Sequence, residues 1–195
     1  QGRANKVLVN LLNDFDSGSN VGALFARSQL AARTGDLEKA AEFGDKAIAL
    51  EPRTPKLLAW SGRVAVHNQN QPLALKRYRQ AWEASPKDPQ VAMAYAELLK
   101  RNDEVAVAQK VLSSLPDTPD MRFARIVFSL DAGDRDTAEL LYAGFSDANY
   151  QDASNAAFQA AQSAELLDLG AEAVNWYKQV TGEQSTRAVM RQAFL

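Results

Sequence analysis

Apolar residues recur along the chain at the spacing of one buried helix face. One such stripe stands at positions i, i+3, i+4 and i+7 of a segment in the second half of the chain, which is the pattern of an amphipathic α-helix. The same period in residues 4–15 predicts an N-terminal helix within 1–20, either a cap or the end of a preceding repeat. The stripe in the second half of the chain consists of Phe123, Ile126, Val127 and Leu130.

Turn residues interrupt these stripes at intervals. Gly35-Asp36 and Gly133-Asp134 pair a glycine that accepts a left-handed backbone with an aspartate that can cap the next helix. Pro52, Pro86 and Pro116 each follow a predicted helix, because the residue before a proline is pushed away from helical geometry. The pattern therefore predicts a series of short helices joined by tight turns.

Composition narrows the fold class. The chain holds 34 Ala and 22 Leu against 13 Val and 2 Ile. Alanine and leucine favour helices, whereas strands are rich in β-branched residues. No uninterrupted apolar run approaches the roughly 18 residues of a membrane-spanning helix. An all-α protein without a transmembrane segment is predicted.

Small residues and prolines repeat at a fixed distance. Ala40 is followed by Ala74 and Ala108 at steps of 34 residues, and then by Ala138 and Ala173 at steps of 30 and 35. A constant period of this length is typical of repeat proteins built from helix-turn-helix units. Further pairs separated by 34 residues include Ala47 and Ala81, Pro52 and Pro86, and Pro55 and Pro89.

On these residues the sequence resembles the tetratricopeptide-repeat (TPR) family over roughly residues 21–182. The resemblance implies an all-α, right-handed superhelical solenoid of antiparallel helix pairs. The best-matching unit carries Leu58, Ser61, Gly62, Ala65, Ala74, Tyr78, Ala81 and Pro86. The five predicted repeats are about 21–54, 55–88, 89–119, 120–153 and 154–184, and 185–195 is predicted to be the first helix of a further or capping repeat.

The match departs from the family pattern in places. No unit carries the tryptophan, leucine, glycine and tyrosine of the pattern together, and Pro116 shortens the third unit. An irregular alanine-rich helical bundle is the alternative.

Candidate chemistry is sparse. The chain has no cysteine and one histidine, His67, so thiolate sites and multi-histidine metal sites are excluded. The acidic turn 131–139 lacks the residue spacing of a calcium-binding loop. The sequence contains neither a glycine-rich phosphate-binding motif nor the G-x-S-x-G motif of a nucleophile elbow. The basic run 76–79 is interpreted as a solvated helix face, and Trp60, Trp82 and Trp176 as packing residues. An enzyme, a metal and a cofactor are not predicted.

The function then depends on the surface that the repeats form. The resemblance implies that the first helices line a concave face which binds a peptide or protein, so a non-enzymatic scaffold or adaptor is predicted. The lining lacks the family's lysine-asparagine-arginine clamp for a terminal carboxylate, and its aromatic residues suit an amphipathic helix or an extended segment. The predicted partner-binding residues are Phe25, Gln29, Arg63, Met93, Glu97, Phe128, Phe158 and Gln162.

Two alternative functions stay open. The apolar ending Phe194-Leu195 favours a self-assembly module, with homo-oligomers formed through end helices. Similar arrays also occur as accessory TPR domains of larger bacterial envelope assembly and secretion proteins. The compartment is unknown, with a periplasmic or outer-membrane-associated setting slightly favoured over the cytoplasm.

Charge is balanced in total but not along the chain. The 22 basic and 24 acidic residues give a net charge of -2, which argues against a nucleic-acid partner. Residues 56–101 hold 8 basic against 3 acidic residues, whereas residues 102–175 hold 4 against 13. Such blocks are predicted to orient a charged protein partner.

Overall fold

A computed structural model describes residues 20–195, and the predicted N-terminal helix lies outside them apart from residue 20. The described residues form eleven α-helices and one short 3-10 helix, Gly182–Gln184, with no β-strand among them. The helices are α1 (Val21–Arg33), α2 (Leu37–Leu50), α3 (Pro55–His67), α4 (Gln71–Ala84), α5 (Pro89–Lys100), α6 (Val105–Ser113), α7 (Pro119–Asp131), α8 (Arg135–Asp147), α9 (Ala153–Leu166), α10 (Gly170–Tyr177) and α11 (Ser185–Gln192).

The helices pack in consecutive pairs within two compact units. Unit 1 extends to Val111 and unit 2 begins at Leu112. In unit 1, α1 packs on α2 and α3 on α4, while α2 contacts α3 and α4 contacts α5. In unit 2, α7 packs on α8 and α9 on α10, while α9 also contacts α7 and α8, and α10 contacts α11. The prediction of an all-α protein built from helix pairs is confirmed.

The turns follow the predicted chemistry. Gly35 and Gly133 have φ angles of 85° and 76°, which an L side chain rarely adopts. The aspartate after each glycine caps the next helix: Asp36 Oδ1 accepts from the Lys39 amide at 3.1 Å, and Asp134 Oδ1 accepts from the Thr137 amide at 3.1 Å. Each cap satisfies a backbone donor that the first helical turn leaves unpaired.

The repeated small residues are close-contact points. Five alanines at the repeat spacing have no exposed surface, so the helices approach one another there without a gap. Gly62 serves the same purpose, since a Cβ atom at this position would lie 2.9 Å from Cδ2 of Tyr78. The five alanines are Ala40, Ala74, Ala108, Ala138 and Ala173.

The stripe in α7 is buried on more than the predicted face. Ile126 has no exposed surface, but Phe128 and Ser129 are also buried, at 5% and 1% exposed, whereas Val127 is only half-buried. The prediction of a single buried face was too narrow, because α7 packs against both α8 and α9.

Two tyrosines tie the helices of unit 2 together. Tyr177 Oη donates to Glu165 Oε1 at 2.5 Å, and Arg191 of α11 forms an ion pair with the same carboxylate. Tyr142 Oη donates to Glu172 Oε2 at 2.6 Å. Burial, reinforced by the hydrogen bond to each carboxylate, raises the pKa of both phenols to about 12. The folded chain therefore favours the neutral, protonated form of both phenols.

None of the described helices combines the length and the apolar character that a membrane crossing requires.

Candidate functional site

A groove of about 530 Å³ opens on unit 1. Most of its lining comes from three alternate helices, α1, α3 and α5, and Tyr78 of α4 also lines it. These are the helices that the repeat pattern makes the first members of successive units. The lining residues are Phe25, Gln29, Thr54, Pro55, Lys56, Ala59, Trp60, Arg63, Tyr78, Ser85, Asp88, Gln90, Val91 and Ala94.

Two aromatic rings from adjacent first helices meet in this groove. Phe25 and Trp60 pack edge to face, with ring centroids 5.9 Å apart and planes at 85°. The indole Nε1 of Trp60 donates to Ser28 Oγ at 2.7 Å, and Ser28 Oγ donates to the carbonyl of Ala40 at 2.5 Å. Because Ser28 has no exposed surface, this relay fixes the indole between α1, α2 and α3.

Two cations lie over these rings. Lys56 Nζ is 5.2 Å from the ring centroid of Phe25, and Arg63 Cζ is 5.8 Å from the Trp60 ring. Both residues are exposed, and no carboxylate among residues 20–195 forms an ion pair with either. A cation over an aromatic face is attracted by the ring quadrupole while it keeps its charge available to a ligand.

The carboxylate of Asp88, which also lines the groove, accepts hydrogen bonds from backbone amides. Asp88 Oδ1 accepts from the amides of Gln90 and Val91, at 2.9 and 3.2 Å, and so caps α5. A carboxylate at a helix N-terminus is already stabilised by the amides and the helix dipole. The groove therefore combines aromatic surface, positive charge that no carboxylate in the described part of the chain pairs, and the side-chain amides of Gln29 and Gln90.

Three of the predicted partner-binding residues, Phe25, Gln29 and Arg63, line this one groove. Met93 and Glu97 do not line it, although both lie on α5 and both are partly exposed. Burial raises the pKa of the Glu97 carboxyl, but hydrogen bonds from Lys100 and Arg101 outweigh burial and hold that pKa below its ordinary value. Glu97 is therefore engaged with the end of its own helix.

The remaining predicted residues belong to unit 2. Phe158 is 8% exposed and Phe128 is 5% exposed. The Phe158 ring packs edge to face on Tyr177 with centroids 5.9 Å apart, in a core cluster with small side chains of α9 and α10. Gln162 is partly exposed. These three residues are not among those that line the groove of unit 1.

Several lining residues were not among the predicted partner-binding residues. Lys56 and Gln90 each follow a proline at the first position of α3 and α5, and their 34-residue spacing would have identified them together. Trp60 was interpreted as packing, and its indole does bond to Ser28, but it also lines the groove.

Unit 2 holds a polar cavity of about 590 Å³ that includes the start of α7, the start of α9 and residues 181–184. Asp120 accepts from Gln159 Nε2 at 2.8 Å, and Asp152 accepts from the amide of Asn155 at 2.8 Å. Asp120, Asp152 and Glu183 line this cavity, so its charge is opposite to that of the groove in unit 1.

No protein-family model matches the chain, and no curated protein is significantly similar to it. Solved structures do match. YrrB, a TPR protein with an unusual peptide-binding site, is 16% identical over 88% of this chain and 89% of its own, with a TM-score of 0.55. PilF from Pseudomonas aeruginosa is 16% identical over 84% of this chain and 76% of its own, with a TM-score of 0.56.

A tetratricopeptide repeat protein from Parabacteroides merdae covers 100% of this chain with 78% of its own length, at 16% identity and a TM-score of 0.53. The chain has the tetratricopeptide-repeat fold. The predicted resemblance is thereby confirmed at the level of the fold.

Proposed function

We propose that this TPR chain is a non-enzymatic adaptor or scaffold that binds a peptide or protein segment in the groove of unit 1. The observation that carries the proposal is the convergence of Phe25, Gln29 and Arg63 in one cavity of about 530 Å³. A concave site with aromatic walls and a few polar groups is the usual form of a ligand site. YrrB, which has a similar fold, is described as having an unusual peptide-binding site.

The other predicted contacts divide by exposure. Met93, Glu97 and Gln162 are partly exposed and stay proposed contacts for a partner larger than the groove. Phe128 and Phe158 are buried, so any contribution they make to binding acts through the stability of their helices.

The proposal is tested with a substitution that places a larger, uncharged side chain in the groove. Random peptides displayed on phage are selected on the purified chain, and the selected peptides are then measured on Ala59→Gln, whose longer side chain projects into the groove. Ala49→Gln on the exposed side of α2 is the matched control. We expect Ala59→Gln to weaken binding at least tenfold and Ala49→Gln to bind like the parent chain.

The proposal fails if no displayed peptide is enriched, or if Ala59→Gln binds the selected peptides as tightly as the parent chain does. Circular dichroism of both variants establishes that a loss of binding is not a loss of helices.

Self-assembly is the second candidate function. In the described part of the chain, Val189 and Met190 on α11 are 65% and 60% exposed, and Phe194 is 89% exposed. Exposed apolar side chains close together in the sequence favour association where they form one patch. Light scattering across a range of protein concentrations tests this function. We expect the average molecular mass to rise with concentration, and we expect the double variant Val189→Lys with Met190→Lys to show no such rise. A constant monomer mass would contradict self-assembly.

A further inference from the structure

The groove of unit 1 carries two positive charges that the described residues leave without a counter-charge. Lys56 and Arg63 both line it, and no carboxylate among residues 20–195 pairs with them. Asp88, the carboxylate in the same groove, is held by two backbone amides. Electrostatic complementarity therefore favours a partner that brings carboxylates of its own.

The spacing of the two cations sets the spacing of the acidic groups. Lys56 and Arg63 are seven residues apart on α3, so they project from the same face, separated by two helical turns or about 10 Å along the axis. An extended polyproline-like segment has three residues per turn and rises about 3.1 Å per residue, so its residues i and i+3 lie on one side, about 9 Å apart. Two acidic residues three positions apart match the two cations.

The surface between the cations is apolar and open. Ala59 lies between them on α3 and is half-buried, and the rings of Phe25 and Trp60 stand beside it. A small residue flanked by aromatic rings leaves an apolar surface on which the backbone of a ligand can lie between its two acidic side chains.

We propose that this groove selects an internal acidic segment that presents two Asp or Glu side chains at i and i+3 and lays the backbone between them on the apolar surface. This specificity rests on the proposed function. The ligand groups are side-chain carboxylates that meet Lys56 and Arg63, not a chain terminus. Because Asp120, Asp152 and Glu183 line the cavity of unit 2, that cavity repels the same segment, and the acidic partner is directed to unit 1.

The experiment selects random ten-residue peptides displayed with a blocked C-terminus, so that terminal carboxylates contribute nothing. Selection is run in parallel on the parent chain, on Lys56→Glu with Arg63→Glu, and on Lys76→Glu with Arg187→Glu. The last pair reverses two exposed charges outside the groove and is the matched control.

We expect the parent chain and the control to enrich peptides with Asp or Glu at i and i+3, and the groove variant to enrich basic peptides instead. A selected acidic peptide should lose at least tenfold in affinity with Lys56→Gln and with Arg63→Gln, and little with Lys76→Gln.

The outcomes separate this inference from the function on which it rests. If the parent chain selects neutral or basic peptides that Ala59→Gln still excludes, the groove binds peptides and the acidic specificity is wrong. If acidic peptides are selected but bind the groove variant equally well, the assignment to Lys56 and Arg63 is wrong. If no peptide is enriched, the proposed function itself fails.

Discussion

At the scale of single residues, the groove depends on one buried hydroxyl. Ser28 accepts the indole N–H of Trp60 and donates to the carbonyl of Ala40, so it joins three helices with one oxygen. A serine in the first helix of a repeat gives no such signal in the sequence, because its partners lie 12 and 32 residues away.

Ser28→Ala should therefore destabilise the chain. It leaves the Trp60 N–H without its partner and removes a hydrogen bond to the Ala40 carbonyl, and a buried unsatisfied group costs about 1 to 3 kcal/mol. Urea unfolding measures the free energy, with Ser146→Ala on the exposed side of α8 as the control. Equal unfolding midpoints for the two variants would contradict the role assigned to Ser28.

Gly62→Ala is expected to destabilise although alanine favours helices. The added methyl would lie 2.9 Å from the Tyr78 ring, and overpacking of this kind costs about 1 to 3 kcal/mol, against a helix-propensity gain of about 1 kcal/mol. Gly170→Ala is the control, since a Cβ atom there meets nothing within 4 Å. Thermal unfolding should show a lower midpoint for Gly62→Ala and none of that loss for Gly170→Ala.

At the scale of helices, capping and small-residue contacts set which segments pair, and buried phenols then join the helices of unit 2. Tyr142 of α8 bonds to Glu172 of α10, and Tyr177 of α10 bonds to Glu165 of α9. Each pair joins two helices by a hydrogen bond that the phenol can donate only while it is protonated.

Unit 2 should consequently be sensitive to alkaline pH. The pKa of Tyr142 and of Tyr177 is raised to about 12 in the folded chain, above the ordinary value near 10. Their contribution to stability is fully present below pH 10 and is lost as the pH rises through 12. The free energy of unfolding of Tyr142→Phe with Tyr177→Phe, measured from pH 8 to 11.5, should fall less steeply than that of the parent chain. Parallel curves would contradict the assignment.

At the scale of the whole molecule, the balanced net charge of -2 conceals two different surfaces. The groove of unit 1 has two cations that no carboxylate among residues 20–195 pairs, and the cavity of unit 2 has three carboxylates. Long-range fields of this size act mainly on the rate of encounter with a charged partner.

The association rate of an acidic peptide should therefore fall as ionic strength rises, because salt shortens the Debye length from about 30 Å at 0.01 M to about 8 Å at 0.15 M. Stopped-flow fluorescence from the tryptophans measures that rate, with an uncharged peptide of the same length as the control. A rate that does not change with salt would count against electrostatic steering.

The sequence by itself determined the elements and their repetition. Helix periodicity, the turns at Gly35 and Gly133, and alanines at the repeat spacing are local signals, and each depends on backbone geometry within a few residues. Those signals also identified Phe25, Gln29 and Arg63 as lining residues of first helices.

The tertiary structure decided which aromatic residues stay open to a ligand. Phe25 and Phe158 occupy comparable positions on first helices, yet Phe25 lines the groove while Phe158 packs on Tyr177 in the core. The difference comes from the side chains that neighbouring helices bring against each ring, which one helix's pattern does not contain. Packing between helices, over separations of 12 to more than 30 residues, therefore formed the groove and placed Lys56 and Trp60 in it.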